Sequence, residues 1–271
     1  LDDDASPESS PPEEQAPEPP VPVGPPDYEI LVRLLGDIRV EGGTKQLHTK
    51  PTAVVAYLAL KREASSERLE EACWFGSNGT SHRKRLRATM TQCRDALGSQ
   101  HFPSNKDGVY VIGDRIRTDT ELFDWHVAHA ATQDPADALG SYREALDLVT
   151  GKPFSYPNVS QARQSFGWVD FEHHTTDWEL RIAAIAKAFT EICIDLDQPE
   201  TAIEVLRRLL PAIPLNGDLV AALMRAYVES GDRPAADRVY KEHAAALEKA
   251  DLGDPDDRVE QLPQTEGEIT V

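Results

Sequence analysis

Five cations crowd one short stretch of this chain. Between Thr80 and Gly98 stand Arg83, Lys84, Arg85, Arg87 and Arg94, against a single acid, Asp95. An Arg guanidinium offers a fork of donors that fits guanine edges and phosphates, whereas a Lys ammonium favours phosphates. Thr91 and Gln92 add a hydroxyl and an amide of the kind that reads base edges. The chemistry these residues support is recognition of a polyanion, above all duplex DNA. Lys50, Lys106, Arg115 and Arg117 lie outside the stretch and suit phosphate clamping from its flanks. The plain alternative is a solvated amphipathic helix, with Arg94 turned toward an acid such as Glu70 or Glu71.

Other reactive-looking groups carry less. His173 and His174, beside Glu172 and Asp177, suggest a metal or acid–base site. Neighbouring residues on a helix point about 100° apart, so two adjacent histidines do not converge as an i, i+4 pair does. No nucleophile elbow, P-loop or Gly-x-Gly-x-x-Gly run occurs, so neither an enzyme nor a cofactor is expected. Cys73, Cys93 and Cys193 are odd in number and widely spaced, which fits neither a disulfide framework nor a zinc site. No apolar run reaches membrane-spanning length, and a reducing cytoplasm is the expected compartment.

The elements that must position the cations follow from periodicity. Leu86, Met90, Cys93 and Leu97 recur at i, i+4, i+7 and i+11, one inward stripe of a helix over 80–98. Thr80 or Ser81 would cap it and Gly98 would end it. Before it, residues 28–36 and 37–40 read as short strands followed by the turn Glu41-Gly42-Gly43, with 46–48 a further strand candidate. Residues 50–61 form a helix with Pro51 in its first turn, and 65–73 form another opening on a Ser cap. After it, Gly108–Ile112 and Arg115–Thr118 read as a hairpin about Gly113-Asp114. Sheet, three helices and a hairpin give a winged helix, with 80–98 as the recognition helix and the hairpin as its wing.

From Glu121 the pattern is helical: 135–150, one long helix over 168–196, then 199–212, 217–230 and 232–250. Trp178, Leu180, Ile182, Ile185, Phe189 and Ile192 are the core expected of the long helix. Helices joined by short turns at a period of roughly 34 residues indicate tetratricopeptide-like stacking, here as three pairs. The fold class expected is therefore mainly α. It joins a winged-helix domain with small antiparallel sheets to an all-α tetratricopeptide-like domain.

Charge follows the same division. Of the 271 residues with net charge -19, residues 1–27 contain eight acids and no Lys or Arg. Residues 28–124 hold fifteen bases against thirteen acids, and 125–271 hold thirteen against twenty-six. The part containing the cationic helix is thus the only one that is not acidic, which admits a local DNA face while excluding non-specific binding by the whole chain. The Pro-rich acidic stretch 1–27 is expected to be a disordered linker. Its presence, and a first residue other than Met, suggest an upstream domain. The expected organisation is linker 1–27, winged helix 28–120, helical domain 121–262 and tail 263–271.

In order and spacing these pieces resemble the bacterial transcriptional activator domain proteins, the antibiotic-regulatory activators of actinobacteria, over about residues 28–262. The resemblance rests on Leu34-Leu35-Gly36 with Ile38, Val40 and Gly42-Gly43, then on Lys50-Pro51-Thr52 with Val55–Leu60. Leu86–Arg94 with Leu97-Gly98 follows the family's recognition helix, and Gly108–Tyr110, Asp119 and Phe123 follow its wing and exit. Leu223-Met224, Tyr227, Gly231, Ala235-Ala236, Tyr240 and Leu252–Pro255 echo its last helix pair. Trp74 is kept, but Ser77-Asn78-Gly79 stands where members often carry prolines, and the acidic linker is an addition.

The resemblance implies an OmpR-like winged helix reading promoter DNA, with the helical domain touching RNA polymerase, another protein or a second protomer. The competing reading is a non-catalytic protein- or ligand-interaction module of a larger signalling protein, with a winged helix that no longer binds DNA.

Overall fold

A computed structural model describes residues 24–74, 82–102, 105, 107–255 and 259. Residues 1–23, the candidate caps Thr80 and Ser81, Lys106 and the tail from 263 lie outside these. Strands β1 (Ile30–Arg33) and β2 (Arg39–Glu41) pair antiparallel with Val32 opposite Val40. Helix α1 (Thr49–Lys61) follows and is buried from Pro51 to Ala59, forming the centre of the first core. A short strand β3 (Glu63–Ser65) leads into α2 (Ser66–Cys73), whose start is closed by Ser65 Oγ accepting from the Arg68 amide at 3.2 Å. Then come α3 (Arg83–Leu97), β4 (Val109–Val111) and β5 (Ile116–Thr118).

Two expectations for the strands are corrected. Residues 46–48 form no strand, and 108–118 is not a self-paired hairpin. Instead β4 pairs antiparallel with β3, Tyr110 opposite Ala64, while β5 pairs parallel with β1, Arg117 opposite Leu31. Two groups draw the strands apart. The Arg62 guanidinium donates to Gly113 O at 3.1 Å and Ile116 O at 2.8 Å, tying the turn and the start of β5 to the end of α1. Immediately after β5, the fully buried Asp119 carboxylate accepts from the amides of Leu34 at 2.8 Å and Leu35 at 3.1 Å, which pins β5 to the end of β1.

Seven further helices follow among the described residues: α4 (Asp119–Ala130), α5 (Pro135–Asp147), α6 (Ser160–Phe171), α7 (His174–Asp195), α8 (Pro199–Leu209), α9 (Gly217–Glu229) and α10 (Arg233–Lys249). Thr118 and Glu121 form a reciprocal capping box at the start of α4. Helices α4 and α5, α7 and α8, and α9 and α10 pack as three pairs, with α7 also lying against α5 and α9. The single long helix expected over 168–196 is broken, because His173 adopts a left-handed conformation at φ 57°. The break lets α6 turn away and pack on α1 and α2. Within α7, Trp178, Ile182 and Phe189 are buried and Ile185 and Ile192 half-buried, but Leu180 is 58% exposed and leaves the core.

The winged helix and the helical region are joined in three ways. Trp168 of α6, 2% exposed, meets Tyr57 of α1 edge-on with ring centroids 5.4 Å apart. Residues 150–155 hydrogen-bond to the loop after β1: Thr150 N–H donates to Leu35 O, Phe154 N–H to Leu34 O, and Ile38 N–H to Ser155 O. Last, the largely buried Glu172 carboxylate accepts from Lys61 Nζ at 2.7 Å, Arg68 Nη2 at 3.4 Å and His174 Nε2 at 3.1 Å. The adjacent-histidine cluster is thus a junction. His174 also stacks on Phe154 at 5.1 Å. No group of three or more His, Cys, Asp or Glu side chains is placed to hold a metal among the described residues.

Candidate nucleic-acid interface

Helix α3 buries Leu86, Thr89, Met90, Cys93, Ala96 and Leu97. At 100° per residue the opposite meridian carries Lys84, Ala88, Thr91 and Asp95, flanked by Arg87 on one side and by Arg85 and Gln92 on the other. All seven are exposed. Lys84 and Arg87 form no side-chain hydrogen bond or ion pair among the described residues, and Arg85 approaches only His82 Nδ1 at 3.5 Å. Thr91 Oγ returns its proton to Arg87 O at 3.1 Å, leaving an oxygen lone pair outward. Arg83 bridges to Glu67 of α2 at 2.8 Å.

The helix start is held from below. His82 caps α3 through its backbone only, donating its N–H to Glu70 Oε2 at 2.7 Å while its ring stacks on Trp74 at 5.5 Å. Lys50 also meets that Trp, its ammonium 4.7 Å from the ring centroid and donating to Cys73 O. Burial holds the Lys50 ammonium pKa below the ordinary lysine value. Cys73 and Cys93 are buried thiols pushed up to about 12 by desolvation, with no reactive character.

The flanking candidates divide. Arg94 is structural, but it donates to Phe102 O at 2.9 Å and meets neither Glu70 nor Glu71. Glu71 instead pairs with Arg68 at 2.8 Å. Arg115 pairs with Glu29 at 2.9 Å and Arg117 with Glu121 at 3.4 Å. Lys106 lies outside the described residues. Sequence reasoning missed the polar hollow of about 380 Å³ beside the α3 cations, where Ser66, Asn105 and Gly108 meet Arg83 and Arg87. Its wall is fixed by Gly108, which donates N–H to Asn105 Oδ1 at 2.8 Å and accepts from the Ser66 amide at 2.9 Å. The Asn-x-x-Gly spacing was the available signal.

A helix anchored on one side and cationic on the other, beside two short sheets, has the form of a recognition helix. The model of one protein family, the bacterial transcriptional activator domain, matches residues 118–265, more than half of the chain. The chain belongs to the bacterial transcriptional activator domain family. Members of this family are regulators of transcription, and the family region here begins at the Thr118 cap of α4.

Among solved structures the chain is similar to Mycobacterium tuberculosis EmbR in complex with a low affinity phosphopeptide, at TM-score 0.59 and 18% identity. The likeness covers 86% of this chain and 64% of that one, so this family member spans just under two thirds of the EmbR chain. It establishes the fold: a winged helix followed by a tetratricopeptide-like helical region. No curated protein matches the sequence. No helix among the described residues is long and apolar enough to cross a membrane.

Proposed function

We propose that this chain is a DNA-binding module of a transcriptional regulator, with a winged helix over 28–120 reading promoter DNA in the cytoplasm. The helical region 121–262 would then contact RNA polymerase, another protein or a second protomer. The observation that supports this most is the outward face of α3, where Lys84, Arg85 and Arg87 are exposed without an acid partner among the described residues. Cations held on a rigid helix yet left unpaired fit a phosphate backbone, and Thr91 and Gln92 between them suit base edges. Arg83 and Arg115 would contribute after exchanging a surface carboxylate for phosphate, at little cost for exposed pairs. Lys50, Arg94 and Arg117 belong to the scaffold on this reading.

The test is a titration against mixed-sequence duplex DNA over a range of salt, with the Lys84→Ala/Arg85→Ala/Arg87→Ala variant alongside. Each phosphate contact removed lowers the salt slope by about 0.9, so loss of all three reduces it by roughly 2.7. Absence of binding at low salt would refute the proposal.

A further inference from the structure

The cations of α3 have a partner close at hand. Residues 1–27 carry Asp2, Asp3, Asp4, Glu8, Glu13, Glu14, Glu18 and Asp27 with no Lys or Arg among them. No other stretch of this length pairs so much negative charge with so little positive. Elsewhere among the described residues the unpaired cations stand singly, as Lys152 and Lys187 do, or in twos, as Arg238 and Lys241 on α10, in an acidic helical region. Among the described residues only α3 places three within one turn. Like charge across residues 125–271 repels an acidic segment, and the α3 face attracts it.

The point of departure fits as well. Glu29 is bound to Arg115 and to His101 Nε2 at 3.1 Å, and its carbonyl lies beneath Gly42, where a Cβ would come within 2.2 Å. The next residues, Gly43 and Thr44, touch the last turn of α3, Thr44 N–H donating to Ala96 O at 2.8 Å. The acidic segment therefore joins the fold beside the C-terminal end of α3. From Leu97 back to Arg85 is roughly 18 Å along the helix. From Gly24, the first described residue, eleven residues of chain back to Glu13 span up to about 35 Å. That exceeds the run of α3 from Leu97 to Arg85, so Glu13 and Glu14 have the length to reach the Lys84–Arg87 turn.

We propose that the acidic segment 1–27 docks in cis on the outward face of α3, its carboxylates occupying the positions that a phosphate backbone would take. The tether gives it a millimolar effective concentration, so weak ion pairing is enough to hold it there at low salt. The consequence for DNA rests on the DNA-binding reading. A face free for about one fifth of the time weakens apparent affinity about fivefold, and the effect fades as salt screens the segment.

Zero-length carbodiimide cross-linking of the full chain tests the docking without DNA. Bonds from Lys84 to Glu13, Glu14 or Glu18, mapped by mass spectrometry, are expected at low salt and are lost near 0.5 M salt. Lys84 bonds absent, or no more frequent than those from Lys152, Lys187 or Lys241, overturn the proposal. So do bonds that vanish on dilution, which would assign the face to a second copy's segment. In parallel, a Glu13→Gln/Glu14→Gln/Glu18→Gln full chain is expected to bind mixed-sequence duplex about fivefold more tightly than the parent at low salt. Cross-links with no DNA binding by either chain would leave the docking standing and reject the DNA reading. Equal DNA affinities would reject the competition.

Discussion

Glu172 is the residue on which the junction turns, and Glu172→Gln is the perturbation that measures it. The substitution keeps the shape but removes the charge shared by Lys61, Arg68 and His174. The Lys61 pair, with side chains 38% and 15% exposed, contributes about 1 kcal/mol after screening. Arg68 is 50% exposed and 3.4 Å away, and adds about 0.3 kcal/mol. Loss of charge assistance at His174 adds roughly 0.5 kcal/mol, giving a destabilisation near 2 kcal/mol at pH 7. Burial pulls the Glu172 carboxyl upward, but the Lys61 and His174 interactions outweigh it and leave its pKa below the ordinary value of 4.5. For His174 burial acts the other way and holds the imidazole below 6.5.

Both folded values are depressed. Each group therefore contributes stability that is present above its unfolded pKa and is lost as pH falls through the folded one. Urea unfolding followed by tryptophan fluorescence at pH 7 and below pH 4 should show the full gap between parent and variant at pH 7, and a smaller one in acid. The slope m should not change. A Lys61→Ala/Glu172→Gln cycle should return a coupling of about 1 kcal/mol. A gap below about 0.5 kcal/mol at pH 7, or one that does not shrink in acid, would refute the reasoning.

Trp168→Ala empties the contact between α6 and α1 and should cost about 3–5 kcal/mol in the same unfolding assay. Asp119, raised by burial to about 6 from 3.8, works in the opposite sense to Glu172. Its contribution is complete below 3.8 and is lost as pH rises through about 6, by up to about 3 kcal/mol. Subtracting the pH profile of Asp119→Asn from that of the parent should expose that slope, and parallel profiles would contradict it. Cys73 and Cys93, with thiols near 12, should stay unlabelled by a maleimide at pH 8 until urea unfolds the chain.

Much of this arrangement was legible in the residues, where periodicity carries the information. The α3 stripe is read from Leu86, Met90, Cys93 and Leu97 because a helix face is a local property. Ser65 announced its cap for the same reason. The β5 strand reads from its own residues but its pairing does not, because its partner, β1, lies some 85 residues away and is selected by the Asp119 carboxylate, which no short-range rule detects. The break at His173 carries no Gly or Pro. It follows from what α6 packs against. Lys50 reads as a surface cation until Trp74 is seen over its ammonium, and Arg94 until Phe102 O is seen to accept from it.

The bonds from residues 150–155 to the loop after β1 also bear on how the chain is made. Leu34, Leu35 and Ile38 leave the ribosome long before their backbone partners, which are Asp119, Thr150, Phe154 and Ser155. The nascent winged helix is therefore unfinished until well over a hundred further residues have been synthesised. A fragment cut at residue 120 would keep the Asp119 contacts but expose the carbonyls of Leu34 and Leu35 and the amide of Ile38. Gene fusions that exchange the reading head alone would inherit that open seam, so the two halves are best exchanged together.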